Sequence, residues 1–466
     1  KKIRYLWLLA ASYFFYGCWN ATYALLMLAS TAITYASGLA IDAFRRKSRP
    51  GLAKGAVALS FISNLGILAY FKYGNFFLDS LRSLGIGGDM RVLQVLLPVG
   101  ISFYTFQALS YTMDIYRDRL PVEKNPLRYA LFVSFFPQLV AGPIERSENL
   151  LTQLQQPPDF DAQRARQGLL LIGWGLLLKI VLADTLAQVV TPVYDNPAGY
   201  SGLQILLATF AFAFQIYGDF AGYSYIAIGS AALFNIRLME NFKSPYLAVS
   251  VRDFWRRWHI SLTSWFKDYV YFPLGGSRKG VARKYINTMI IFLVSGLWHG
   301  ANWTFVVWGG INGALMILGE MTQSLRTRAY KRIGINAESA GFVWARRIFT
   351  FLLISFTWIF FRAQTIGEAF DMLGRVFTDL RLYTLFTPGI FDLITGTQTT
   401  VMLLAVIALL MANDARRERG HQLGDALLGE SVWVRWPVYI ALIMVLLVFG
   451  VYGSSMAQTQ FIYFQF

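Results

Sequence analysis

The sequence predicts an all-α, polytopic integral membrane protein. Hydrophobic residues make up 56% of the 466 residues and charged residues only 15%, a balance typical of membrane proteins rather than soluble domains. The net charge of +16 is spread over short basic clusters between apolar runs, which is the pattern of cytoplasmic loops. This distribution indicates a lipid bilayer as the partner of the chain and argues against nucleic acid.

The first half of the chain contains four predicted spans and one broken segment. The spans are 5–19, 21–41, 56–73 and 92–116, and the broken segment is 129–142. Basic residues lie at both ends of the first two spans, so both ends of this hairpin should be cytoplasmic. Pro98 and Gly100 permit a bend in the fourth span. The fifth segment, which contains FFPQLVAGP, is too short to cross alone and is predicted to be re-entrant or broken.

The second half supplies the remaining predicted spans. They are 168–190, 203–234, 303–318, 346–361, 400–411 and 433–451. The span that begins at 303 continues a charge-poor run. The total is about eleven transmembrane or re-entrant helices in one domain, 1–466. The chain begins without methionine, so we expect a processed or truncated amino terminus that lacks an earlier spanning helix.

Three ionisable residues fall inside these predicted spans. Lys179 and Asp184 are five residues apart, so a helical salt bridge between them is possible but less favoured than at the usual spacing of three or four. Asp219 lies in the middle of FQIYGDFAGYSYIAIG and should be hydrogen-bonded or beside a water-filled cavity. A tie between packed helices and a place in a reaction chamber are equally open for it.

The stretch 252–303 holds two of the three histidines in the chain. His259 lies among arginines, Lys267 and three tryptophans, a mixture typical of a membrane-water boundary, so a position near a surface is expected. His299 lies in a run without Asp, Glu, Lys or Arg from 285 to 319. If the intervening chain is helical, Lys284 is about 22 Å away, at about 1.5 Å per residue. This spacing predicts an ionisable ring near the middle of the bilayer.

A histidine at that depth should be neutral, because desolvation disfavours the charged imidazolium. A neutral imidazole can accept a proton, and an ionisable side chain inside a membrane is a functional-site hypothesis. General-base help of this kind accelerates a reaction by about 10²- to 10⁴-fold. A histidine that only hydrogen-bonds between packed helices is an equally open interpretation of the position of His299.

Several motifs resemble one known family. WRRWHISLTSWFKDYVY and SGLWHGANWTFVVWG, supported by LLPVGISFYTFQALSY, FFPQLVAGPI, QIYGDFAGYSYIAIG, MENFKSPY and the terminal FIYFQF, resemble the membrane-bound O-acyltransferase family. The similarity is to its bacterial branch, which includes the integral membrane subunits of alginate and peptidoglycan O-acetyltransferases. It extends from about residue 70 to the last residue.

The resemblance implies a fold, a reaction and partners. Helices would surround a central tunnel through a bacterial cytoplasmic (inner) membrane. His299 matches the near-universal histidine of the family, and His259 matches the second histidine of this branch. An acetyl group would enter from cytoplasmic acetyl-CoA and leave to an SGNH-type enzyme outside. Phe461, Tyr463 and Phe466 resemble the motif of an acyl-carrier peptide from teichoic-acid D-alanylation, which would make Tyr463 the acyl carrier.

The charge of the donor adds a requirement for basic residues. The phosphates of CoA keep it out of hydrocarbon, so a tunnel must present the thioester to the acceptor hydroxyl, and a positive rim would hold the phosphates. The candidates for this rim are Arg256, Arg257, Lys267 and Arg278. Membrane topology explains the same charges equally well.

Three other functions are compatible with parts of the sequence. Transfer of D-alanyl or another acyl group would use the same machinery. A secondary transporter also uses broken helices and ionisable groups inside the membrane, but it should show internal repeats, and none is visible. A scaffolding subunit would use its histidines only for packing. We expect no metal and no permanently bound cofactor.

Overall fold

A computed structural model of the chain describes residues 2–86, 93–156, 159–383, 396–421 and 423–452. These residues form helices, and no strand occurs among them. By length and composition, eight helical stretches within the described ranges are able to cross a membrane. The prediction of an all-α polytopic membrane protein is therefore confirmed.

The helices are numbered in chain order. The first eight are α1 (Lys2–Trp19), α2 (Ala21–Arg46), α3 (Pro50–Leu68), α4 (Gly74–Ser83), α5 (Ile101–Tyr116), α6 (Pro126–Ser134), α7 (Phe136–Leu139) and α8 (Ser147–Gln155). The next seven are α9 (Ala162–Leu176), α10 (Asp184–Asp195), α11 (Gly202–Leu233), α12 (Val251–Arg257), α13 (Ile260–Phe266), α14 (Val281–His299) and α15 (Trp303–Met321). The last six are α16 (Gln323–Arg332), α17 (Ala340–Arg362), α18 (Ile366–Thr378), α19 (Thr397–Glu418), α20 (Leu423–Gly429) and α21 (Val432–Phe449).

Three widened, π-helical turns continue or join these helices. They are Ala69–Tyr73, Leu177–Ala183 and Lys267–Tyr271. In a π turn the hydrogen bond runs from residue i to i+5 rather than i+4, and such turns occur frequently at functional sites. The second of them joins α9 to α10 in the middle of one long candidate span, 162–195.

The chain divides into two compact units. Unit 1 comprises Lys1–Leu169 and Ala227–Met239, and unit 2 comprises Leu170–Ile226 and Glu240–Phe466. The single domain expected from the sequence stays a prediction. In unit 1, α2 packs against α3 and α5 around a buried aromatic core that includes Tyr104, Tyr111 and Tyr129. Both histidine motifs belong to unit 2.

Two expectations about unit 1 are resolved by the backbone. The segment 129–142 is broken as predicted, because α6 ends at Ser134 and the four-residue α7 follows Phe135. The span predicted to begin at 92 becomes helical only at Ile101. Gly100 has φ 71, a left-handed conformation that glycine adopts without steric cost, so the helix starts immediately after it.

Candidate active site

His299 is the last residue of α14, and its position follows from how α14 meets α15. The chain reverses at Gly300, and Asn302 caps α15 by accepting a hydrogen bond from the Thr304 N–H at 3.0 Å. The two helices then pack closely against each other within unit 2. His299 is consequently buried, with 3% of its surface exposed.

Aromatic rings surround the His299 imidazole. The Trp308 ring on α15 meets it edge-on at 5.1 Å between centroids, and the Phe361 ring on α17 does so at 5.4 Å. Trp298, the preceding residue, lies at 5.0 Å, and Trp358 stacks on Trp308 at 5.5 Å. These rings give the imidazole apolar surroundings on several sides. The neutral state of His299 and its depth in a bilayer stay predictions.

His259 is buried, so the expectation that it lies near a surface is wrong. Only 1% of the residue is exposed. It occupies the junction between α12 and α13 with φ 45 and ψ 54, a left-handed conformation that costs a non-glycine residue about 1–3 kcal/mol. The neighbouring Arg256 and Lys267 are exposed, whereas Trp258 and Trp265 are buried. The mixture of basic and aromatic residues thus comes from short two-sided helices whose apolar side faces the protein interior.

The structure brings the two histidines together. Their ring centroids are 6.3 Å apart, although 40 residues separate them in the sequence. The edge of Phe220 on α11 meets His259 at 4.6 Å, and Trp298 lies 5.9 Å from the same ring. The structure thus places two buried ionisable rings side by side within unit 2.

A hydrogen-bond network holds the His259 ring. Its Nδ1 lies 3.1 Å from the side-chain oxygen of Asn241. The same oxygen accepts hydrogen bonds from the Ser261 N–H at 3.3 Å and the Ser261 hydroxyl at 2.9 Å. The Asn241 amide group donates to the Ser224 hydroxyl at 3.2 Å. Asn241 was not predicted as a site residue, although the quoted motif MENFKSPY contains it.

A charged cluster in unit 2 lies outside this pair. The Lys179 ammonium is 2.6 Å from carboxylate oxygens of both Asp184 and Asp219, and all three side chains are buried. The pairing of Lys179 with Asp184 differs from the expectation based on helical spacing. The reason is the π turn Leu177–Ala183, which brings residues five apart onto one face. Asp219 therefore ties α11 to this turn.

The four predicted rim residues have different surroundings. Arg256 contributes to the lining of a cavity of about 1090 Å³ between α12, α15, α16 and α17. Arg257 pairs with Asp253 at 2.9 Å and with Glu418. Lys267 and Arg278 are exposed and do not contribute to that cavity. Tyr463 lies outside the described residues.

The lining of this cavity contains basic residues that the sequence analysis missed. They are Arg252, Arg326, Lys331 and Arg346, in addition to Arg256, and they face two acidic residues, Glu320 and Glu338. Arg252 and Lys284 both pair with Glu320. The remainder of the lining includes apolar side chains such as Leu315 and Leu353. The tertiary fold places residues of α12, α15, α16 and α17 around one cavity, and no local motif could have indicated this set.

The fold and the site define a helical membrane protein whose unit 2 contains two neighbouring, buried imidazoles enclosed by aromatic rings. Among the described residues, no group of three or more His, Cys, Asp or Glu side chains is arranged to hold a metal ion. Residues 56–363 match the model of the MBOAT, membrane-bound O-acyltransferase family. The chain belongs to this family and is a membrane-bound, multi-pass O-acyltransferase.

Individual relatives carry more specific names. The chain is 34% identical to the probable alginate O-acetylase of Pseudomonas putida, over 100% of this chain and 95% of the relative. It is 35% identical to the peptidoglycan O-acetyltransferase of Helicobacter pylori, over 79% of this chain and 72% of the relative. It is 29% identical to the teichoic acid D-alanyltransferase of Streptococcus thermophilus, over 55% and 63% respectively. The family match and these relatives show an O-acyltransferase rather than a transporter or a scaffolding subunit.

Proposed function

We propose that this protein takes an acetyl group from cytoplasmic acetyl-CoA and passes it across a bacterial cytoplasmic (inner) membrane for O-acetylation of an extracytoplasmic polysaccharide such as alginate or peptidoglycan. The observation that carries the proposal is the pair of buried imidazoles, with ring centroids 6.3 Å apart. Relatives named for O-acetylation of two different polysaccharides support this class of acceptor.

The buried histidine pair is suited to an acyl transfer in which no net proton is taken up or released. The hydroxyl oxygen of the acceptor attacks the thioester carbonyl carbon while His299 removes the hydroxyl proton. The C–S bond then breaks, and the imidazolium returns the proton to the departing thiolate, which leaves as free CoA thiol. No net proton is taken up, so the aromatic walls around His299 need not open to water during the step. Base assistance of this kind is worth about 10²- to 10⁴-fold.

The basic cavity between α12 and α16 supports a phosphate-bearing donor. Arg256, Arg326, Lys331 and Arg346 contribute four positive charges to its lining, while Glu320 is already paired with two basic side chains. α16 is exposed along its length, and its basic sequence predicts a cytoplasmic location by the positive-inside rule. We therefore assign the CoA phosphates to this cavity, with Arg256 as the one retained member of the predicted rim.

Two helices, α12 and α15, connect the cavity lining to the surroundings of the histidines. Trp308, which contacts His299, and Leu315, which contributes to the cavity, are seven residues apart on α15, or about 10 Å at about 1.5 Å per residue. Arg256 lies three residues before His259. A donor with phosphates at α16 and an extended arm along α15 would present its thioester near the imidazoles.

We further propose that Tyr463 is the acyl carrier and that an SGNH-type enzyme outside the membrane receives the acyl group. A phenol, with an ordinary pKa of about 10, is a better leaving group than an aliphatic alcohol. An acyl-tyrosine consequently retains enough reactivity to pass its acyl group to a sugar hydroxyl. Phe461 and Phe466 would seat this segment in an apolar passage.

Transfer of a D-alanyl group is the second candidate, supported by the similarity to a teichoic acid D-alanyltransferase. Acetyl transfer is favoured because the acetyltransferase relative matches over 95% of its length, against 63% for the alanyltransferase. The two candidates differ in the donor and share the histidine pair.

Labelled donors test the proposal. The whole chain in proteoliposomes is incubated with [14C]acetyl-CoA, and label in the protein is measured in wild type, Tyr463→Phe and His299→Ala. We expect label in wild type and loss of label in both variants. Equal labelling of wild type and Tyr463→Phe would refute the carrier, and wild-type protein that neither accepts label nor releases CoA would refute acetyl-CoA as the donor. A parallel experiment with a D-alanyl thioester decides between the two acyl groups.

A further inference from the structure

One contact determines which position of the Asn241 side-chain amide is the oxygen and which is the nitrogen. The Ser261 backbone N–H can only donate, so the Asn241 atom 3.3 Å from it must be the amide oxygen. The amide nitrogen then faces Ser224, whose hydroxyl oxygen accepts at 3.2 Å. All three residues are buried, so the protein surroundings rather than bulk water fix this orientation.

The orientation of Asn241 determines which nitrogen of His259 carries the proton. The Asn241 oxygen is an acceptor, and His259 Nδ1 lies 3.1 Å from it. A deprotonated Nδ1 would place its lone pair against the lone pair of the Asn241 oxygen in a buried site, which is unfavourable. The Ser261 hydroxyl lies 3.5 Å from Nδ1, but it donates to the Asn241 oxygen at the shorter distance of 2.9 Å. We propose that Asn241 is a positioning residue that holds His259 as the Nδ1–H tautomer, which directs the lone pair of Nε2 away from Asn241.

This tautomer gives the second histidine a defined chemical role, which rests on the proposed function. A neutral imidazole with Nδ1 protonated accepts a hydrogen bond or a proton only at Nε2. His259 and His299 are neighbours, with ring centroids 6.3 Å apart. His259 Nε2 therefore acts on the reacting hydroxyl or thiol as an acceptor, and it complements the general base at His299.

Asn241 also has a structural role, which the experiment must distinguish from its effect on the His259 tautomer. Its backbone oxygen accepts from the Ile260 N–H at 2.9 Å, and its side chain accepts from the Ser261 N–H, so it satisfies two of the orphan donors at the start of α13. These contacts hold the left-handed backbone of His259. Asn241→Asp keeps a side-chain oxygen for the same donors, places a negative charge beside Nδ1, and replaces the amide group that donates to Ser224 with a second acceptor oxygen. Asn241→Ala removes the side-chain contacts to His259 and Ser261 but keeps the backbone oxygen that accepts from Ile260. Ser224→Ala removes a partner of the amide without changing the oxygen that faces His259.

Solid-state NMR of histidine ring nitrogens tests the tautomer independently of activity. The chain has three histidines, so uniformly ¹⁵N-histidine-labelled protein in proteoliposomes gives three ring systems, and His259→Asn identifies the signal of His259. We expect protonated Nδ1 and deprotonated Nε2 in wild type and in Ser224→Ala, and a mixture in Asn241→Ala. Protonated Nε2, or a mixture in wild type, would overturn the assignment.

The pH dependence of CoA release from acetyl-CoA tests the catalytic consequence. In Asn241→Asp the carboxylate stabilises the imidazolium of His259, which cannot accept a proton. The acidic limb of the kcat profile should therefore move by at least about one pH unit to higher pH, since a nearby opposite charge shifts titration by about 1–3 units. A merely structural Asn241 predicts an unmoved profile with lower protein yield, and that result would overturn the role. Absence of CoA release from wild type would instead refute the proposed function, while the NMR experiment still decides the tautomer.

Discussion

A close approach of α14 and α15 gives a quantitative prediction for Gly309→Ala. A Cβ atom on Gly309 would lie 3.0 Å from the carbonyl carbon of Phe292 and would overlap the oxygen of that group. Carbon atoms in contact are normally about 3.5–4.0 Å apart, so the two helices must separate by about 0.5–1 Å. The opposing atoms belong to the backbone and cannot rotate away.

The displacement acts directly on the active site. Gly309 lies next to Trp308, which contacts His299, and its added Cβ would also lie 3.3 Å from the Gly296 Cα, one turn before His299 on α14. A misplacement of 1 Å reduces catalysis about 10²-fold, so a separation of half to the whole of that distance should reduce kcat about 10- to 100-fold. Overpacking of this kind also destabilises a protein by about 1–3 kcal/mol.

The neighbouring glycine is a matched control. A Cβ on Gly310 would meet only the tip of Leu293 at 3.5 Å, which is an ordinary contact, and both substitutions gain the same helix propensity. Initial rates of CoA release from acetyl-CoA are measured in membranes and divided by the amount of folded protein. We expect Gly310→Ala to retain wild-type activity. If Gly309→Ala stays within about threefold of Gly310→Ala, the close helix contact does not position His299.

Three further predictions concern the base, the donor cavity and the buried charges. His299→Ala should lose more than nine-tenths of acyl transfer with normal expression, and activity above a tenth of wild type excludes it as the base. Arg326→Ala combined with Lys331→Ala should raise KM for acetyl-CoA at least tenfold with little change in kcat. Arg419 is an exposed arginine outside the cavity lining, so Arg419→Ala should leave KM unchanged. A KM of the double variant equal to that of Arg419→Ala would contradict the donor site. Lys179→Ala leaves two buried carboxylates without their ammonium group and should cost about 3–5 kcal/mol of stability, seen as a large fall in Tm, while an unchanged Tm would show that the cluster is dispensable for folding.

The helical membrane fold could be predicted from the sequence, and the two histidines could be selected from it as candidate site residues. Long charge-poor runs bounded by basic residues indicate spanning helices through their own composition, and most predicted spans agree with the structure within a few residues. His299 could be singled out because a titratable residue is rare in such a run. Its buried position follows from the same apolar neighbours that make the run visible.

Features that depend on backbone irregularity were not predictable. His259 was placed near a surface because its neighbours are charged, and the left-handed turn that directs its ring inward has no glycine or asparagine to indicate it. Lys179 and Asp184 come within ion-pair distance because the turn Leu177–Ala183 is widened. Regular helical spacing does not predict such a turn. Asn241 contacts His259 through the tertiary fold, so its role became visible only once the network around Ser261 was known.

The widened turn Leu177–Ala183 has a consequence for how the long helical stretch around it is interpreted. One extra residue in a turn rotates everything that follows by about 100° relative to a regular helix. A helical wheel drawn continuously from 162 to 195 would therefore assign lipid-facing positions of α10 to the wrong side. Amphipathic analysis and the choice of cysteine-labelling sites should treat α9 and α10 as two separate phases, joined at the turn that carries Lys179.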